Sequence, residues 1–156
     1  MIEEMMTVEI AKRADGRSVL RCVRADGSVT WQKQDRHAAF FAIHDLTHFA
    51  VESTLGYRDG FFGLIAQGWN IDDTTGKGAR GRLPYEAIEV EHLVGLLNTE
   101  LASGTTMTAE ELNGASPIPT RLTEEQLQRV RARCSELFWQ WHSLPPGGTL
   151  ALQWGS

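Results

Sequence analysis

Residues 36–55 read RHAAFFAIHDLTHFAVESTL, and this stretch decides the fold because it predicts a long helix with almost no ordinary solvent-facing side. It contains neither Gly nor Pro, and the Gly56 that follows is typical of a helix end. Past Arg36 it has no Lys, Arg or Gln, and Phe, Ile, Leu and Ala cover most of its circumference. Because a helix that is apolar over most of its surface is buried, we expect this helix, with Asp35 as its N-cap, to be enclosed by other elements.

Ahead of this helix, residues 7–33 predict an antiparallel β-meander. Apolar and polar residues alternate in three short runs, as they do in strands with one buried face. The turns between the runs are Asp15-Gly16 and Asp26-Gly27, a dipeptide that tolerates positive φ and favours hairpins.

After the long helix, the chain predicts further helices separated by loops. Residues 61–69 form a short apolar segment that suits a helical turn or short helix. Residues 70–83 contain three glycines and three basic residues and predict a mobile loop. Long helices are expected over 85–101 and 124–142, and a capping signal at 108–111 predicts a short helix.

The C-terminal segment, residues 149–154, alternates apolar and polar residues and predicts a strand that joins the N-terminal sheet. We therefore expect one α+β domain over residues 1–156, in which a β-meander joined by this strand packs against three longer helices and one short helix. The helical region spans 36–144 and includes the loop 70–83.

Composition limits the function classes. The chain has 156 residues with 42% hydrophobic residues, enough for a core without disulfides, and Cys22 and Cys134 predict buried, reduced thiols. A net charge of −5 argues against general binding to nucleic acid or anionic membranes. Residues 1–6 carry acids and no long apolar run, and no stretch is long enough to span a membrane, so we expect a cytoplasmic protein.

The polar strip of the long helix consists of residue types that bind metals. At about 100° per residue, His37, His44 and His48 fall within roughly 40° of one another, and Asp45 and Glu52 lie at one border of that sector. Buried histidines often only satisfy hydrogen bonds, which is the simpler interpretation. The three histidines and two acids on one sector favour a metal site instead.

Each residue of this strip suggests a role. His44 and His48, one turn apart, can converge on one Zn²⁺ or other divalent ion at about 2.0–2.1 Å. Glu52 would ligate the ion as well, or orient His48 from behind, and either Asp45 or Glu52 would handle the proton of a bound water.

The stretch His44-Asp45-Leu46-Thr47-His48 resembles the HDxxH zinc-site motif of the coenzyme Q biosynthesis scaffold family. It is also similar to a degenerate HExxH motif of zincin peptidases, with Asp45 in place of the Glu, and its first two residues resemble those of HD-domain phosphohydrolases. The resemblance to the HDxxH and HExxH motifs implies a zinc site. In the first family a Glu follows the second His by twelve residues, and here Gly60 stands at that position, beside Asp59, which we count as a further candidate.

The helix over 85–101 is expected to supply the third metal ligand. Its acids Glu86 and Glu89 point into its apolar arc, and His92 sits at the edge of that arc. Buried carboxylates are costly unless they are paired or bound to metal, so Glu89 is the first candidate, followed by Glu86 and His92. The alternative is that acids of this helix neutralise basic side chains such as Arg121 or Arg131.

The glycine-rich loop and the site lead to two hypotheses. In the first, the protein is a metal-dependent hydrolase, and Lys77, Arg80 and Arg82 hold an anionic small-molecule substrate. In the second, the protein is a non-catalytic binding or structural protein whose histidine and aromatic face lines a pocket or a dimer interface, and the loop is only solvated. Both hypotheses allow a homo-oligomer.

Overall fold

The computed structural model describes residues 5–35, 37–117 and 121–155. Four strands form one antiparallel sheet in the order β3-β2-β1-β4. They are β1 (Met6–Lys12), β2 (Ser18–Arg24), β3 (Val29–Gln34) and β4 (Thr149–Trp154). The predicted meander, and its completion by the C-terminal strand, are confirmed.

The two Asp-Gly turns adopt the conformation that their sequence predicts. Gly16 and Gly27 have φ values of 86° and 85°, which a residue with a side chain rarely adopts. In each turn the aspartate carboxylate accepts a hydrogen bond from the backbone N–H two residues later, at 3.0 Å for Asp15 and 2.9 Å for Asp26. These turns fix the register in which Val8 of β1 faces Cys22 of β2.

The described residues form five α-helices. They are α1 (Ala38–Leu55), α2 (Phe61–Ala66), α3 (Tyr85–Ser103), α4 (Ala109–Ala115) and α5 (Glu124–Ser143). The α+β class and the three long helices are confirmed, and both short segments expected from the sequence are helical. No helix among the described residues is long and apolar enough to cross a membrane.

Helix α1 lies at the centre and contacts β2, α2, α3 and α5. Its Phe49 packs edge-on against Phe62 of α2 and against Trp154 of β4, with ring centroids 5.7 and 5.8 Å apart. Burial of α1 on these sides follows from its nearly all-round apolar sequence. Because other elements enclose α1, its polar side chains must find partners inside the protein. Cys22 and Cys134 are both buried and unpaired, as expected.

Two local predictions need correction. The N-cap of α1 is His37, in a left-handed conformation with φ 53°, and not Asp35, whose carboxylate lies 4.0 Å from the guanidinium of Arg17. The predicted helix start at Arg36 and the N-terminal residues 1–4 lie outside the described residues.

The predicted loop 70–83 contains a 3₁₀-helix, Ile71–Thr75, whose first turn is closed by a reciprocal capping box between Asn70 and Asp73. Ile71 is buried, and its backbone N–H donates to the Thr30 hydroxyl of β3 at 3.0 Å. This half of the segment is therefore fixed to the body of the protein, and turns follow it up to Leu83.

Candidate metal centre

His44 and His48 lie one turn apart on α1, and their ring centroids are 4.8 Å apart at an interplanar angle of 73°. Phe40 stacks on His44, and Phe61 of α2 packs against His48. The two imidazoles are therefore close to each other and held by aromatic neighbours. His48 is buried, and the side chain of His44 is about one-fifth exposed, with a relative accessibility of 20%.

A chain of hydrogen bonds fixes the protonation of the His44 ring. The Thr47 hydroxyl donates to the backbone carbonyl of Ile43 at 2.7 Å, so its oxygen accepts the amide N–H of Asn98 at 3.0 Å. The Asn98 carbonyl oxygen then faces Nδ1 of His44 at 3.1 Å. Since a carbonyl oxygen only accepts, Nδ1 of His44 carries a proton, and Nε2 is directed away from Asn98.

Glu52 fixes the ring of His48 in the same way. Its carboxylate oxygen lies 3.0 Å from Nδ1 of His48, and an ionised carboxylate is only an acceptor. The carboxylate is fully buried and also accepts three backbone N–H groups at the start of α2, from Phe61, Phe62 and Gly63, at 2.9 to 3.1 Å. These four donors explain how a buried negative charge is tolerated here. Nδ1 of His48 is thus protonated, and Nε2 faces away from Glu52.

Both Nε2 atoms face one carboxylate, that of Glu91 on α3. The distance is 3.3 Å from His44 Nε2 to Glu91 Oε1 and 2.9 Å from His48 Nε2 to Glu91 Oε2. Lone pairs of neutral imidazoles cannot face carboxylate oxygens this closely unless a cation lies between them, either a proton or a metal ion. One donor atom from each of the three residues lies within 4.8 Å of the others, so the group could hold a metal ion.

The electrostatics of the group agree with a positive charge at this position. Burial by itself lowers the pKa of His48, but the hydrogen bonds to Glu52 and Glu91 outweigh burial and raise it to about 9. Contacts with His44 and then His48 hold the pKa of Glu91 well below its usual range. Without a metal, His48 is therefore an imidazolium between two carboxylates, and a metal would have to displace this proton.

Glu52 is turned toward Nδ1 of His48 and toward α2, on the far side of the ring from Nε2. Of the two roles that the sequence left open for Glu52, this geometry matches the orientation of His48 and not direct ligation. The close approach of Gly60 makes this arrangement possible, because a Cβ at that position would lie 2.5 Å from Cδ of Glu52.

We expect Gly60→Ala to displace the Glu52 carboxylate, and so to lower the free energy of unfolding by about 1–3 kcal/mol. The backbone of Gly60 has φ −82°, so the effect comes from contact with Glu52 and not from strain. Urea unfolding of the metal-free protein measures it. Gly95→Ala is the control, because a Cβ there meets nothing within 4 Å and should stabilise α3 by about 0.5–1 kcal/mol. Equal stability of Gly60→Ala and wild type would contradict the close packing.

Asp45 does not reach the histidine group. It faces the sheet, where the side-chain amide of Gln34 donates to its carboxylate at 2.6 Å, and Gln34 in turn accepts from the Ser18 hydroxyl. The position of Asp45 on the helix, about 100° from His44, explains this, because the two neighbouring side chains point to different elements. The sequence prediction that Asp45 handles the proton of a bound water therefore has no support from its placement.

Burial raises the pKa of Asp45 to about 6. The hydrogen bond from Gln34, and then the charges of His48 and His44, lower this pKa and offset burial only in part, whereas the charge of Glu91 raises it further. A carboxyl with a raised pKa in the folded state favours folding below about pH 4, and this contribution is lost as pH rises through 6. We expect Asp45→Asn to gain roughly 2 kcal/mol of stability relative to wild type between pH 4 and 7. Urea unfolding of the two metal-free proteins across this pH range measures how the difference in their free energies of unfolding changes with pH. A difference that stays constant with pH would contradict the prediction.

The other residues singled out in the sequence lie apart from this group. Glu89 accepts from the Tyr57 hydroxyl at 3.4 Å, and Glu86 accepts the backbone N–H groups of Arg58 and Asp59 at 2.9 Å. His37 and His92 are exposed, and Asp59 accepts from the side chain of Gln67. The alternative proposed for acids of α3 does hold for Glu100, which is buried and paired with Arg131.

The sequence interpretation missed Glu91 and Asn98. Both lie on α3, seven residues and therefore two turns apart, at the border of its apolar face. Glu91 was overlooked because it lies outside the apolar arc, with a side-chain exposure of 60%. Two polar residues at this spacing beside an apolar face were the available signal.

The basic residues of the segment 71–83 are not joined to the group by any contact among the described residues. Lys77 and Arg82 are exposed, and Arg80 packs over the ring of Trp69 and donates to the carbonyl of Gly68. The same segment nevertheless approaches the group through Thr74 and Leu83.

Two cavities lie beside the group. The smaller one, about 30 Å³, is lined by His48, Phe61, Leu64, Thr74, Leu83, Ala87 and Glu91. The larger one, about 310 Å³, lies between α1, α3 and α5 and includes Thr47 and Asn98, the residues that orient His44, in its lining. The smaller cavity therefore touches the side of the group where Glu91 faces His48, and the larger cavity touches the residues behind His44.

Comparisons with protein-family models, with curated proteins and with solved structures found no match for this chain. The resemblance of residues 44–48 to zinc-site motifs stays a prediction from the sequence. Functional inference therefore rests on the geometry of the group itself.

Proposed function

We propose that this protein binds a divalent metal ion through Nε2 of His44, Nε2 of His48 and the carboxylate of Glu91. One observation carries this proposal: each Nδ1 has its own acceptor, and both Nε2 atoms face the same carboxylate. Histidines that bind metals usually donate their other ring N–H in this way. Glu91 lies at the solvent edge and can move by the small distance that ligation requires.

The donor set favours zinc or a similar first-row ion. Two imidazoles and one carboxylate form a common catalytic zinc set, and iron and other transition metals also accept it. Three protein ligands leave a coordination position open. In hydrolytic zinc sites a water molecule binds in this position, and the ion lowers the pKa of that water to near 7.

We extend the proposal to hydrolysis, with that water as the nucleophile. Asp45 bonds to Gln34 and Glu52 bonds to Nδ1 of His48, so in this proposal the second carboxylate oxygen of Glu91 would take the proton. Lys77 and Arg82 belong to the segment that brings Thr74 and Leu83 to the cavity, which supports an anionic small molecule as substrate.

The test is metal analysis of protein prepared without a histidine tag. After equilibration with Zn²⁺ and removal of the excess, we expect about one bound ion per chain, and free ion at a hundredfold excess over Kd should stabilise the fold by about 2.7 kcal/mol. A chelator should reverse the gain in unfolding temperature. Uptake well below one ion per chain, with no change in unfolding temperature, would contradict the proposal.

A second candidate function, binding of a small molecule without catalysis, is supported by the larger cavity. Its volume of about 310 Å³ falls at the lower end of ligand sites, and apolar side chains such as Leu97 and Phe138 line most of it. Because Glu100 and Arg131 pair with each other there, the suitable occupant is neutral. Leu97→Trp should fill the cavity and abolish binding of an apolar fluorescent dye while metal uptake is unchanged.

A further inference from the structure

The cavity beside His48 and Glu91 has a size that limits what can enter it. Its volume of about 30 Å³ exceeds the roughly 10–15 Å³ that one water molecule needs and is far below the size of ligand pockets. The cavity touches His48 and Glu91, the two residues whose facing atoms are only 2.9 Å apart. The part of a ligand that enters this cavity would therefore be about the size of a water molecule and in reach of an ion held by these residues.

Among the residues that line this cavity, only Thr74 carries a hydroxyl group. Apart from His48 and Glu91, the other lining residues are Phe61, Leu64, Leu83 and Ala87, whose side chains have no hydrogen-bonding groups. Any hydrogen bond from a side chain outside the histidine group to a molecule in the cavity must therefore involve Thr74.

The Thr74 hydroxyl is committed as a donor. It donates to the backbone carbonyl of Ile71 at 2.6 Å, within the 3₁₀-helix, so its oxygen can act toward the cavity only as an acceptor. Its position is fixed because Ile71 is buried and hydrogen-bonded to Thr30, and because the capping box between Asn70 and Asp73 closes the same turn. No motif in the sequence pointed to Thr74.

We propose that Thr74 is a positioning residue that selects, on the open position of the metal, a ligand able to donate a proton. Such a ligand is water, hydroxide or the hydroxyl group of a small alcohol. The inference rests on the proposed metal site and adds to it the chemical class of its fourth ligand. An anion without a proton, such as azide, would bring its lone pairs against the Thr74 oxygen and would bind more weakly.

Azide binding to the Co²⁺-loaded protein tests this inference, with visible absorption of the bound Co²⁺ as the readout. We expect Thr74→Val, which keeps the shape and removes the acceptor, to bind Co²⁺ like wild type and azide about tenfold more tightly. Thr74→Ser should bind azide like wild type, and Thr74→Ala gives a second loss of the hydroxyl without a branched side chain. Thr75→Val is the matched control, because Thr75 donates to the Asp72 carbonyl in the same helix but does not line the cavity.

The outcomes separate the two proposals. If wild type and Thr74→Val both bind Co²⁺ and have equal azide affinity, Thr74 does not select the ligand and the metal site stands. Equal gains in azide affinity for Thr74→Val and Thr75→Val would also overturn the role of Thr74. If wild type takes up no Co²⁺, both proposals are wrong.

Discussion

Glu91→Gln will abolish stoichiometric metal binding, whereas Glu89→Gln will leave it intact. Within the described part of the chain, Glu91 alone supplies a carboxylate that faces both Nε2 atoms, while Glu89, two residues away, contacts the Tyr57 hydroxyl. Removing one of the three proposed ligands, and the negative charge that would offset the ion, should lower the affinity for the metal by at least about a hundredfold. Titration with Zn²⁺ in competition with a chromophoric chelator measures this difference.

The pair of variants also separates a loss of ligand from a loss of fold. The side chain of Glu91 is 60% exposed, so Glu91→Gln should cost the metal-free protein no more than about 1 kcal/mol. His48→Ala should lose the ion as well, and His92→Ala, an exposed histidine next to Glu91 in sequence, should keep it. Equal affinity of the Glu91→Gln and Glu89→Gln proteins would show that Glu91 is not a ligand.

The second large effect is expected on stability, from Glu52→Gln. The Glu52 carboxylate is fully buried and accepts from three backbone N–H groups of α2 and from Nδ1 of His48. An amide in its place offers one accepting oxygen and turns an N–H₂ group toward existing donors. We expect the free energy of unfolding to fall by about 3–5 kcal/mol, as it does when one partner of a buried charged network is removed.

Urea unfolding in the presence of a chelator measures this loss without any contribution from metal binding. Glu86→Gln is the matched control, because Glu86 also accepts two backbone N–H groups but is only half-buried, so a loss of about 1 kcal/mol is expected. If Glu52→Gln loses no more stability than Glu86→Gln, the buried carboxylate does not hold α2 and His48 together.

The polar strip of α1 serves three different neighbours, although it looks continuous on a helical wheel. Asp45 bonds to Gln34 of the sheet, the two histidines face Glu91 of α3, and Glu52 bonds to the start of α2. A wheel places side chains around one axis but does not state which element covers each direction. For this reason the sequence identified the strip as buried and chemically unusual, but it did not predict that Asp45 bonds to the sheet, and it left two roles open for Glu52.

Local rules were sufficient for most of the fold. The Asp-Gly turns, the alternation in 149–154 and the capping boxes of α4 and α5 each depend on residues within one turn or one hairpin, and each was predicted. The start of α1 was predicted two residues too early, since Asp35 is a suitable cap by residue type, whereas the helix begins after His37. The cavity that includes Thr74 could not be predicted, because it joins residues from α1, α2, α3 and the 3₁₀-helix.

The sequence by itself determined that His44 and His48 share one face of a buried helix, because the spacing of four residues fixes their relative direction through helix geometry alone. Only the tertiary structure decided that Glu91 faces them and that Glu89 does not. These two residues are about 200° apart around α3, and which of them meets α1 depends on how the whole core rotates one helix against the other. That rotation results from many apolar contacts together, and no short stretch of sequence contains it.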